Sequence, residues 1–236
     1  VVCPKAGLEP SAAPFGWSVM RGITEEAGAA GVDLMVCAPG SWAGGAVSSL
    51  PGGVAGIIVV GRGQPEEGLA GPATPRVVVG HAGGAEEPSG VLLDDEGAGR
   101  DLAYRLIGAG HKRIGLLRVR GAPGAERQEA GYRHAMGAAG LAVEPRWIAV
   151  VDVDLGETGT TGADALLGED LSAVMVCGER LLPVFADAVL RRRLLVPPDL
   201  SVAALAETPP GNWPGGVKLE ALVLDPTELG RRALRR

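Results

Sequence analysis

Residues 91–121 read VLLDDEGAGRDLAYRLIGAGHKRIGLLRVRG, and their order predicts strand, helix, strand. Val91, Leu92 and Leu93 form a short apolar run. Asp94 or Asp95 can accept hydrogen bonds from the orphan N–H groups that open a helix, and Glu96 puts negative charge at the positive end of its dipole. Ala98, Leu102, Leu106 and Ala109 recur at spacings of four and three, which makes one apolar helical face. Gly110 stands where a left-handed residue would close that helix. Ile114 to Leu117 then begin a second strand. His111, between helix and strand, reads as a residue tying two elements together rather than as a catalytic base.

The same rhythm extends in both directions. Before the stretch, Val1–Pro4 reads as a strand tail. Residues 14–30 read as a helix with Val19, Ile23, Ala27 and Ala30 inward, ended by Gly31. Residues 32–39 read as a buried strand, 40–53 as a short helix, and 54–61 and 76–80 as strands. After it, helices are expected over 125–139, with Tyr132, Ala135, Met136 and Ala139 inward, and over 162–167, 180–193 and 226–236. Strands are expected over 147–154, 172–177, 201–206 and 217–225. Apolar strands alternating with amphipathic helices imply parallel sheets covered on both faces. The units are too many for one compact open sheet and show no eightfold period. The expected fold class is therefore α/β, two doubly wound lobes, with ligand bound at strand C-termini in a cleft between them.

Composition narrows the function. The 236 residues carry a net charge of −6, so the chain is poorly suited to grip a phosphate backbone by itself. Cys3, Cys37 and Cys177 are far apart and show no metal-ligand spacing, which reads as free buried thiols in a reducing compartment. No run reaches the ~18 apolar residues of a membrane helix, and no signal peptide is visible, so a cytoplasmic protein without membrane contact is expected. The start on VVCP reads as mid-strand, as if a segment preceded it. There is no GxxxxGK[ST], GxSxG or HExxH motif and no strand–GxGxxG–helix arrangement. No catalytic residue, cofactor or metal is called for.

Val91, Asp94, Asp95, Leu106, Gly110, His111, Arg113 and Ile114 together make the pattern V-x-x-D-(N/D)…L-x-x-x-G-H-x-R-I. This resembles the effector domain of the LacI/GalR family of bacterial regulators. Further blocks are similar: Pro14, Phe15, Gly22 and Ile23 near the start, VAGIIV (54–59), ERQEAGYRHAMGAAGL (126–141), AVMVCGERLL (173–182), VPPDLSV (196–202) and LDPTELGRRAL (224–234). The resemblance implies a periplasmic-binding-protein-like pair of lobes joined by three crossovers. One lobe would be residues 1–111 with a return over 208–236, the other 112–207. It also implies a small, sugar-like effector in the cleft, a homodimer, and operator DNA bound through an N-terminal helix-turn-helix that these residues lack. The strands that complete the family fold would follow Arg236. A stand-alone solute-binding receptor of the same fold is the alternative, and an enzyme on this scaffold a third.

The departures from the pattern bear on the ligand. Gly178-Glu179 stands where the family has Asn-Asp, so the acid is one methylene longer. The segment Ala203–Glu207 lacks the first acid of the family's V-G-F-D-D. Gln128 holds the place of the family arginine, and Arg127 lies one residue early, about 100° away around a helix. The candidate ligand-binding residues are Phe15, His81, Arg127 and Glu179. Phe15 and Trp17 either stack on a ligand ring or cap a helix, and Glu179 either meets the ligand or caps the helix it precedes. Arg191–Arg193 and the closing RRALRR are expected to answer the dipoles of their own helices.

Overall fold

A computed structural model describes residues 2–4, 14–36, 54–60, 74–81, 90–152, 157–206, 210 and 213–236. The chain divides into two units, Val1–Leu93 with Asp225–Arg236, and Asp94–Leu224. Each is a parallel sheet with helices.

In the first unit the sheet order is β1(Val2–Pro4)-β2(Ile57–Val60)-β3(Arg76–His81)-β4(Gly90–Leu93), every pair parallel. Ile57–Val60 are all buried, as expected of a strand covered on both faces. The long helix α1(Pro14–Ala30) buries Val19, Ile23 and Ala27, whereas Ala30 is exposed. Gly31 follows at φ +65°. The last helix of the chain, α6(Pro226–Arg235), opens with Asp225 accepting a hydrogen bond from the Glu228 N–H and with Pro226 in its first turn.

These two helices cross at backbone contact. A Cβ on Gly22 would fall 1.9 Å from the Thr227 carbonyl oxygen, and one on Gly230 would fall 2.1 Å from that of Val19. Arg231 donates to Glu25 at 2.6 Å, Arg235 to both oxygens of Glu26 at 2.8 Å, and Arg21 to Thr227 Oγ1 at 2.7 Å. Of the closing arginines, Arg231 and Arg235 answer acids on the neighbouring helix, Arg232 pairs with Glu228 of its own helix and Arg236 donates to the Gly90 carbonyl.

The expected buried strand over 32–39 is not formed where it is described. Residues 32–36 make only an isolated bridge at Val36, and Val32 and Val36 are about half exposed. Residues 37–39 and the expected helix over 40–53 lie outside the described residues.

In the second unit the sheet order is β6(Ile148–Val151)-β5(Ile114–Val119)-β7(Ala173–Cys177)-β8(Ser201–Ala206)-β9(Glu220–Val223), again all parallel. The helices are α2(Asp95–Gly108), α3(Ala125–Ala138), α4(Glu157–Leu167) and α5(Leu181–Arg191). Helix α3 lies over the β5 face that carries Arg118. Helix α4 covers the other, where a Cβ on Gly115 would press into Leu166 and Leu171. Strand β7 is buried throughout. Tyr132, Met136, Phe185 and Met175 are fully buried in one apolar cluster, and the Tyr132 hydroxyl donates to the Ile114 carbonyl at 2.7 Å. Burial pushes that hydroxyl's pKa well up. Ala139, expected inward, is exposed one residue past the helix.

The organising stretch forms as β4, α2 and β5. Asp94 is the cap, its Oδ1 accepting from the Gly97 N–H at 2.8 Å, and Gly110 is left-handed at φ +95°. His111 Nδ1 lies 3.0 Å from Ser172 Oγ, joining the entry to β5 with the entry to β7. Burial lowers its pKa.

The unit boundaries fall at 93/94 and 224/225, where the sequence led us to expect 111/112 and 207/208. Packing is the reason. Helix α2 crosses α3 as closely as α1 crosses α6: a Cβ on Gly99 would fall 2.1 Å from the Gln128 carbonyl oxygen, and one on Gly131 would fall 2.0 Å from that of Glu96. At the other end, β9 pairs with β8 and so stays with the second sheet. The Arg191–Arg193 cluster also behaves differently from expectation. Arg192 donates to the Asp164 and Leu167 carbonyls, both at 2.8 Å, so it satisfies the orphan C-terminal carbonyls of α4 rather than those of α5. Arg191 pairs with Asp164 and Asp187.

Cys177 is a buried free thiol, with its pKa pushed up to about 12 by burial. The native protein should leave Cys177 unalkylated by iodoacetamide at pH 8, and the denatured chain should modify it fully. Peptide mapping by mass spectrometry checks this, and rapid native labelling would contradict the burial.

Candidate functional site

Doubly wound sheets bind ligands beyond the C-terminal ends of their strands, so those ends are taken unit by unit. In the first unit, β3 ends at His81, which is buried. The Phe15 ring, in the first turn of α1, lies 4.8 Å from the His81 ring at an interplanar angle of 38°. Two of the four expected ligand residues, 66 positions apart in sequence, are therefore in contact. Trp17 stands about half exposed on the same helix.

In the second unit, β7 ends at Cys177 and the chain turns through Gly178 at φ +121°. That backbone conformation favours glycine, which gives a physical reason for Gly178 where the family pattern has asparagine. Glu179 follows, half-buried, and Arg180 is the N-cap of α5. Arg180 makes no side-chain capping hydrogen bond there.

Arg127 turns away along the surface. It pairs with Glu96 on α2 at 3.7 Å, and both side chains are nearly half exposed. Its neighbour Gln128 is buried and donates from Nε2 to Asp95 Oδ1 at 2.9 Å. Asp95 is fully buried. Gln128 thus occupies the place of the family arginine and spends its amide on a buried acid of the preceding helix.

Beneath α3 lies a second set of charges that the sequence did not suggest. Arg118, near the end of β5, donates to Glu129 at 2.6 Å, with side-chain exposures of only 12% and 16%. Glu129 also accepts from Arg133 at 2.8 Å, and Glu126 lies 3.5 Å from Arg118. Arg120, just past β5, pairs with Asp152, just past β6, at 3.1 Å. Strand alternation would have placed Arg118 on the α3 face, but which acids meet it depends on how the helix seats.

A cavity of about 850 Å³ lies in the first unit, lined by Leu34, Met35, Ile57, Val77, Ala233 and Leu234. It sits at the N-terminal ends of β2 and β3, the end of the sheet opposite to His81, so it belongs to the packing of residues 32–35 against α6. Among the described residues no group of three or more His, Cys, Asp or Glu could hold a metal ion, and no helix is long and apolar enough to cross a membrane.

Comparison with known proteins follows the geometry. The chain is 30% identical over 115 residues to the ribose operon repressor of Haemophilus influenzae, and that match covers 47% of this chain and 34% of the repressor, so the chain spans about a third of the relative's length. Among solved structures it is similar to a transcription regulator from Lactobacillus plantarum (TM-score 0.79, 20% identity, 100% of this chain and 88% of that one). It is also similar to the Escherichia coli transcriptional repressor ascG (0.81, 16%, 100% and 88%) and to the transcriptional regulator CelR in complex with cellobiose (0.76, 21%, 99% and 75%). These likenesses establish the fold, two parallel sheets flanked by helices, that the LacI/GalR resemblance implied. A family model described as a periplasmic binding protein-like domain matches residues 103–236, more than half of the sequence, and this chain belongs to that family.

Proposed function

We propose that this chain is the ligand-sensing and dimerisation domain of a LacI/GalR-type transcriptional regulator. The observation that carries the ligand-sensing role is the contact of Phe15 with His81 at the C-terminal end of β3, an aromatic platform where this class of sheet receives ligands. The repressor relative favours a regulator over a stand-alone receptor. In this reading the ligand is a small sugar-like molecule, with Phe15 and His81 as candidate contacts at the end of β3 and Glu179 as a candidate contact at the end of β7. Arg127, held by Glu96, contributes to α2–α3 packing instead.

The mechanism is linkage. A ligand with unequal affinity for two arrangements of the units shifts their populations, and a DNA-binding segment outside these 236 residues responds to the shift. The protein acts as a homodimer in the cytoplasm, and its chemistry is binding rather than turnover. Thermal melts against sugars, polyols and nucleosides test this. A ligand at 100 times its Kd adds about 2.7 kcal/mol of stability, and Phe15→Ala should weaken binding about tenfold or more, from the stacking lost. A panel in which no compound raises the melting temperature would count against the reading.

A further inference from the structure

The two adjacent acids that open α2 serve different helices. Asp94 caps α2 itself, accepting from the Gly97 N–H at 2.8 Å. Asp95, the first residue of α2, is fully buried and turns to α3. Its Oδ1 accepts from Gln128 Nε2 at 2.9 Å. Its carboxylate also packs against Gly124, where a Cβ would fall 2.2 Å from Oδ1 and 2.5 Å from Oδ2. Gly124 is the N-cap of α3, left-handed at φ +74°, and has no side chain with which to cap. A helix N-terminus presents N–H donors and the positive end of a dipole, and a buried carboxylate costs free energy unless it is compensated. The two needs meet at one place, and the Gln128 amide closes the arrangement from one turn into α3.

We propose that Asp95 caps α3 from the neighbouring helix and is the positioning residue of the turn that joins β5 to α3. That turn, residues 120–124, follows the C-terminal end of β5 and holds two left-handed glycines, Gly121 at φ +62° and Gly124. Within it the Ala122 N–H reaches the Val119 carbonyl at 3.4 Å, a long hydrogen bond. The freedom of two glycines is therefore restrained from outside the turn, by a carboxylate that no rotamer of Gly124 could supply. Asp95 also lies two residues past Leu93, where the first unit gives way to the second. A displacement of the turn is thus felt at the first helical residue beyond that boundary. This consequence for linkage rests on the ligand-site reading, whereas the cap does not and is tested without ligand.

Hydrogen–deuterium exchange of the full chain, read by mass spectrometry, tests the cap. Asp95→Ala should speed exchange of the amides of residues 121–128 by about fivefold or more, as expected for a lost helix cap, and leave β7 at the parent rate. Asp95→Asn keeps an oxygen for Gln128 and for the start of α3 and should stay close to the parent. Gln128→Ala should speed the same amides less than Asp95→Ala does. Gly124→Ala drives a Cβ into the carboxylate from the opposite side, and it should speed the first turns of both α3 and α2. Parent-like exchange over residues 121–128 in Asp95→Ala would overturn the proposal, and so would an unchanged first turn of α2 in Gly124→Ala. Acceleration that spreads equally to β7 would overturn it by making Asp95 a residue of general stability. Gln128→Ala matching Asp95→Ala would overturn it by reducing the acid to a partner of that amide.

Discussion

Gly131→Ala should destabilise the protein by about 2–4 kcal/mol, although alanine is the better helix former. The intrinsic preference favours the substitution by about 1 kcal/mol in a helix interior. Against it, the new Cβ would sit 2.0 Å from the Glu96 carbonyl oxygen and 2.6 Å from the Arg100 nitrogen, both backbone atoms that no rotamer change can move. Helices α2 and α3 must separate, and that loosens the packing around Leu102 and Tyr132, both fully buried. Overpacking of this kind costs about 1–3 kcal/mol and occasionally more, so the clash outweighs the propensity. Gly137→Ala, on the same helix with nothing within 4 Å of its Cβ, is the control and should stabilise by about 0.5 kcal/mol. Urea melts of the two variants read the difference directly. A Gly131→Ala protein as stable as the Gly137 variant would show that the two helices do not approach as described.

Removal of Glu129 should be nearly as costly. Glu129→Ala leaves Arg118, whose side chain is only 12% exposed, without its 2.6 Å partner. Breaking a buried pair costs about 3–5 kcal/mol when one charge is stranded, and the residual exposure here, with Glu126 still 3.5 Å from Arg118, argues for about 2. Replacing both members, as Arg118→Met with Glu129→Leu, removes the stranded charge and should recover most of the loss. The same carboxylate sets a pH dependence. Burial pushes its pKa up, but the hydrogen bonds from Arg133 and Arg118 outweigh burial and hold it below the ordinary glutamate value of 4.5. Its stabilisation is therefore full above about pH 4.5 and is lost as pH falls through the lower folded value. Melts across the acid range should show the Glu129→Ala protein with a shallower acid loss than the parent. An equally steep loss would assign the acid sensitivity to other groups.

The candidate site was partly legible. Phe15 and His81 could be picked out because each stands at the boundary of a clear helix or strand, where parallel sheets place their binding groups. Their contact, across 66 residues, came from the way α1 lies along the sheet. Arg127 lies one residue before the place of the family arginine. A helix turns about 100° per residue, so the guanidinium faces Glu96 while Gln128 takes the inward position. The Asp95–Gln128 pair and the ion pairs of Arg118 were invisible, since each joins elements whose relative seating no local pattern encodes.

The sequence by itself determined the parallel α/β class and the order of almost every element, because periodicity, caps and chain breaks act within one turn or one strand. Asp94 and Gly110 bound α2, and Asp225 with Pro226 opens α6, for reasons contained in a few neighbouring residues. Only the tertiary structure decided where one unit ends and the next begins, which run of apolar residues finds a ladder, and which acid each arginine meets. Those outcomes depend on partners distant in the chain. Gly99 against Gln128 and Gly22 against Thr227 draw helices together by backbone contact, and residues 32–36 make only an isolated bridge at Val36.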